Sequence, residues 1–90
     1  MKIRELLKTP EKWTRGTFAK GIRGDSVHFA SKHAVCWCLM GAVYQCYPTN
    51  IIETTEKLAT ALKCPFQELA AWNDAHSHAE VLALVEKLDL

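Results

Sequence analysis

Residues 34 to 46, AVCWCLMGAVYQC, contain a single polar side chain, Gln45. A segment this apolar has to be covered on every side, so the rest of a short chain must be arranged around it. Ser31 is a suitable N-cap ahead of the run, and Tyr47-Pro48 stops a helix at its end, because a proline disfavours helical backbone in the residue before it. The spacing therefore predicts a buried central helix from Ser31 to about Cys46. Ninety residues, of which 49% are apolar and 23% charged, are enough for one compact domain over residues 1–90 and argue against disorder.

The flanking segments read as short amphipathic elements. KIRELLK at 2–8 sets Ile3, Leu6 and Leu7 on one side of a helix, and Thr9-Pro10 ends it and opens a further turn reaching Trp13. Between Trp13 and Phe29, β-forming residues alternate with Gly16, Gly21 and Gly24, which predicts a small irregular hairpin turning at GIRGDS. Asn50 or Thr49 caps a third helix, IIETTEKLATALK, with Ile51, Thr55, Leu58, Ala59 and Leu62 at helical spacing. Pro65 opens a fourth helix that Asn73-Asp74 should end. Ser77 and Glu80 form a capping-box pattern at the start of a fifth, with Val81, Val85 and Leu88 as its stripe. The expected fold is mainly α (α+β): a central helix, short amphipathic helices around it, and an N-terminal β-hairpin.

Four cysteines raise the question of chemistry. On a helix Cys36 and Cys38 point about 200° apart, so they cannot hold one metal ion together, and Cys38, Ala42 and Cys46 share a face as small core residues would. A nucleophilic reading would pair Cys36 with His28 or His33, since a nearby histidine and a helix N-terminus both favour the thiolate. His76 and His78 flank the last cap; a zinc pair completed by Cys or Asp74 is the sharp reading and solvated loop residues the bland one. Trp72, Asn73 and Asp74 either fix a corner through side-chain hydrogen bonds or line a small-ligand pocket. Trp13, Trp37 and Trp72 read as staples between elements. Trp37 and Gly41 fall on one line of the helix, where the glycine admits a neighbouring backbone or ring. No cofactor is expected.

Charge is unevenly spread although the net is only +1. Up to Asp25, seven basic residues stand against three acidic ones, and after it four stand against seven. Lys12, Arg15, Lys20 and Arg23 on the hairpin would steer the chain toward an acidic protein surface. The near-neutral total argues against nucleic acid as the partner. No targeting segment is recognisable, and the longest apolar run is far short of the ~20 residues needed to span a bilayer. A cytoplasmic location with reduced thiols is expected.

Taken in order, W-T-R-G at 13–16, A-V-x-W-C-x-x-G-A at 34–42, W-N-D at 72–74 and E-V-L at 80–82 resemble a family of small bacterial and phage proteins of unknown function. Its members often carry Thr where His78 stands here. The resemblance implies no activity or cofactor. It implies a context of phages and mobile elements, in which small proteins often act by binding a host component. The expected function is a non-enzymatic interaction protein that binds or inhibits a host defence or regulatory complex; a homo-oligomer is compatible with this. The alternative is a nucleotide-like small-ligand site or a Cys–His enzyme between the central helix and the Trp72–Asp74 corner.

Overall fold

The computed structural model describes residues 1–90. Five α-helices surround one buried apolar cluster, with a two-stranded antiparallel sheet at its edge. The helices are α1 (Ile3–Leu6), α2 (Leu39–Cys46), α3 (Ile51–Leu62), α4 (Leu69–Ala75) and α5 (His78–Lys87); the strands are β1 (Ala19–Lys20) and β2 (Cys36–Trp37). Short 3-10 turns at Pro10–Lys12 and Phe66–Glu68 complete the list. The mainly α architecture with a small hairpin is thus the one expected.

α2 is the hub. Leu39, Ala42 and Val43 are fully buried and meet Ile3, Leu6 and Leu7 of the N-terminal segment, Leu58 of α3, Leu69 of α4, and Val81 and Val85 of α5. Burying each such Leu or Val is worth roughly 1.5–3 kcal/mol relative to exposure, so this cluster is the main source of stability. The two ends of the chain are joined beside it. Ile3 N–H donates to the Leu90 carbonyl, the Tyr47 hydroxyl donates to the same oxygen at 3.1 Å, and Asp89 is paired with Lys2 and Arg4.

The central helix begins later than the sequence suggests. Residues 31–38 are not helical: Ser31 Oγ accepts from His33 N–H in a local turn, and Cys36–Trp37 form β2. Cys38, not Ser31, is the N-cap, its sulfur accepting from Gly41 N–H at 3.3 Å. An apolar run has no period of its own, and here burial alternates, with Cys36 and Cys38 inside and Val35 outside, as a strand requires. The helix is also less enclosed than expected, since Met40 and Tyr44 are half-buried and Gln45 is exposed.

The hairpin is built from a different pair of segments than predicted. Ala19 pairs with Trp37 and Lys20 with Cys36. The local turn at GIRGDS does form, closed by Gly21 N–H to Asp25 O at 2.9 Å, but contributes only the single bridge Lys20–Ser26. Trp13 adds a parallel bridge to Trp37 on the far side of β2. Gly41 lets this sheet lie against α2: a Cβ there would stand 2.1 Å from the Phe18 carbonyl oxygen. The close backbone approach expected at Gly41 is therefore present.

α4 continues through Asn73 and Asp74 to Ala75. Asn73 does not terminate it, because its side chain faces inward and bonds other segments rather than its own backbone. The helix ends one residue later, where the His76 ring Nδ1–H donates to the Trp72 carbonyl at 2.6 Å. α5 starts as predicted, with Ser77 Oγ accepting from Glu80 N–H and the Glu80 carboxylate accepting from Ser77 N–H at 3.0 Å.

Candidate functional site

Three motifs distant in sequence converge on Asn73, which is fully buried. Its Oδ1 accepts from Trp13 Nε1–H at 2.7 Å and from Leu39 N–H at 3.0 Å. Its Nδ2 donates to the Thr14 carbonyl at 3.2 Å and to Asp74 Oδ1 at 3.1 Å. Leu39 is the first residue of α2, whose N–H has no partner within its own helix, so Asn73 acts as a cap supplied from another element. Asp74 Oδ1 also accepts from Gly16 N–H at 3.0 Å, and Gly16 takes the positive φ of 79° that glycine permits there. Thr14 N–H donates to Trp37 O, which closes the knot between the W-T-R-G turn, β2 and α4. A buried primary amide with all four of its hydrogen bonds made is a structural fastener, and none of its polar capacity is left for a ligand.

Around this knot the aromatic and basic side chains are stacked. Trp72 and His76 lie with ring centroids 4.2 Å apart and planes 21° from parallel. The Arg15 guanidinium sits 5.0 Å above the Trp13 ring and donates to the His76 carbonyl. His78 Nε2–H donates to the Leu7 carbonyl at 2.6 Å. His76 Nδ1 and His78 Nε2 are thus spent on backbone carbonyls, and no three His, Cys, Asp or Glu side chains are grouped so as to hold a metal ion. The Trp72–Asp74 triplet is not the helix end that the sequence suggests: it lies within α4, and Asn73 ties that helix to other segments.

The cysteine–histidine pairing is not assembled. Cys36 lies on β2 with its sulfur toward the Lys20 carbonyl, not one turn into a helix. His28 Nδ1 accepts from Ala30 N–H and its ring packs on Phe29, while His33 is exposed. Neither histidine is hydrogen-bonded to Cys36. Burial pushes the Cys38 thiol above its ordinary value, against the opposing hydrogen bond from Gly41, and pushes Cys46 up to about 11. Both shifts favour the protonated thiol, the opposite of what a nucleophile needs.

The basic residues part company. Arg15 is folded back on Trp13 and His76, and Lys12 sits on the Pro10–Lys12 turn. Lys20 and Arg23 belong to the hairpin end, where Arg23 shares a shallow depression with Lys32 and His33, neither of which was singled out among the basic residues. At the same place Ile22 is 88% exposed and Val35 43%. The sequence offers His33 only as a partner for Cys36 and does not single out Lys32, because the proximity of both to Arg23 depends on β2 pairing with β1.

Residues 1–88 match the family of unknown function DUF6197. The chain belongs to DUF6197. No curated protein and no solved structure matches it. The DUF6197 match contains the whole Asn73 knot and the hairpin end, so both are parts of the domain the family describes. No helix of this DUF6197 member is long and apolar enough to cross a membrane.

Proposed function

We propose that this protein works without catalysis, by docking onto a partner protein through its hairpin end. The observation that supports this reading is Ile22, the most exposed large apolar side chain, held on a tight turn beside Val35 and among Arg23, Lys32 and His33. An apolar knob in a basic surround suits an acidic protein surface: the charges speed and orient encounter, and the desolvated knob supplies affinity. Lys20 on β1 adds to the same end, while Lys12 and Arg15 contribute positive field from outside it. The resemblance to small bacterial and phage proteins directs the search to bacterial regulatory or defence complexes, which the protein would bind and inhibit. The rival small-ligand or Cys–His site draws no support from a fully bonded Asn73 or from Cys36, whose sulfur faces the Lys20 carbonyl and is hydrogen-bonded to neither His28 nor His33.

A photo-reactive amino acid at position 22 tests the reading in bacterial cells. The expected result is one discrete cross-linked protein, absent when the reactive group is moved to exposed Ala83 and lost in an Arg23→Glu, Lys32→Glu background. No adduct at position 22, or one indifferent to charge reversal, would overturn it.

A further inference from the structure

A second exposed apolar feature lies where α2, α3 and the segment 66–70 meet. It is a groove of about 370 Å³ lined by Phe18, Met40, Tyr44, Ile51, Ile52 and Phe66, among other residues. Phe18 is 46% exposed, Ile52 75% and Phe66 58%, so three large apolar side chains lie open to solvent around one groove. Its floor is stiff: the Tyr44 ring is met edge-on by Phe18 at 5.5 Å and stacked by Phe29 at 5.1 Å. Adjoining depressions share Ile51 and Ile52 with the groove on one side and Phe18 and Ala70 on the other. The first carries Glu53 and Glu56, which also border Lys57 on their far side, and the second Asp74; no lysine or arginine lines the groove or either adjoining depression.

We propose that this groove receives the hairpin end of a second copy of the chain. The argument is complementarity between two surfaces of one molecule. An acid-rimmed apolar groove matches an apolar knob, Ile22, whose neighbours Lys20, Arg23 and Lys32 outnumber their one local carboxylate, Asp25. It also gives a physical use to the opposite charge balance of the two parts of the chain. The inference rests on the hairpin end being a docking surface and gives that surface a second occupant, another copy of the chain, which competes with the partner protein. Knob and groove are different patches, so two copies meet either reciprocally, closing a dimer, or head-to-tail, leaving one free knob and one free groove from which assembly continues. A turn entering a groove makes a small interface, so each junction is weak, with Kd from about 10 µM to 1 mM.

Sedimentation velocity on the full chain over that concentration range tests it. The average mass should rise with concentration, to a dimer for the reciprocal contact and beyond it for the head-to-tail one, and fall back when salt is raised from about 50 to 500 mM, because the rim charges become screened. Ile22→Glu and Ile52→Lys alter exposed side chains only, and circular dichroism should show both folded. Each should be monomeric alone. An equimolar mixture should form a one-to-one dimer and nothing larger, because one intact knob and one intact groove remain. A wild-type monomer throughout, variants that still assemble, or a mixture that stays monomeric while wild type assembles would each overturn the proposal. A monomer whose position 22 still cross-links to another protein refutes the second copy alone; a monomer with no such adduct refutes the docking reading as well.

Discussion

Replacing Asn73 by alanine tests the claim that this side chain fastens the molecule. The substitution removes four hydrogen bonds and leaves three groups without their partner: Leu39 N–H, the Thr14 carbonyl and Trp13 Nε1–H. Leu39 and Thr14 are buried, so each stranded group costs about 1–3 kcal/mol. Trp13 is half-buried and its indole can turn to water, so its share is nearer 0.5–1.5 kcal/mol, about one ordinary hydrogen bond. The Asp74 carboxylate is exposed and keeps Gly16, so it adds little. The total is roughly 3–7 kcal/mol, against the 5–15 kcal/mol that holds a typical domain together. In a urea titration followed by tryptophan fluorescence, with a slope of about 1.5 kcal/mol/M, the midpoint should fall by about 2 M or more. Trp13→Phe removes one donor and should cost only about 0.5–1.5 kcal/mol, and Asn73→Ala made on that background should cost less than alone by a similar amount. A loss below about 1 kcal/mol for Asn73→Ala would refute the accounting.

Three further outcomes follow from the same geometry. In an open helix Gly41→Ala would stabilise by about 1 kcal/mol, but contact with the Phe18 carbonyl reverses the sign, and a loss of roughly 1–3 kcal/mol or more is expected by thermal or urea unfolding; a gain would mean that β1 does not lie against α2. Asp89 is held down to about 2 by hydrogen bonds from Arg4 and Lys2, so its contribution is complete above the unfolded value near 3.8 and disappears as pH falls through 2. Asp89→Asn should therefore flatten the acid limb of stability between these values, and an unchanged limb would contradict the pairing. A single-cysteine variant retaining the buried Cys38 should react with a thiol reagent at pH 7 only as fast as the protein opens, with denaturant raising the rate sharply; rapid labelling of the folded chain would show that this thiol is neither enclosed nor held protonated.

Local signals determined much of this protein. The period of α3, the Ser77–Glu80 capping box that opens α5, and the stop at Tyr47-Pro48 each involve residues within a turn or two of one another, so the sequence alone shows them. The apolar run at 34–46 likewise points to a single apolar hub. The stretch from Ser31 to Cys38 had no such signal. Its apolar run suits a strand as well as a helix, and the choice went to the strand because Ala19 and Lys20 offer backbone hydrogen bonds that can be made only once the chain has doubled back. That one decision moved Cys36 away from a helical position, brought Lys32 and His33 beside Arg23, and gave the N-cap to Cys38. Asn73 is the same case at greater range. Its neighbours in sequence suggest a helix end, yet Trp13, Thr14 and Leu39 from other elements, together with the Asp74 carboxylate, saturate its amide, and a buried amide with every hydrogen bond made is compatible with a continuing helix.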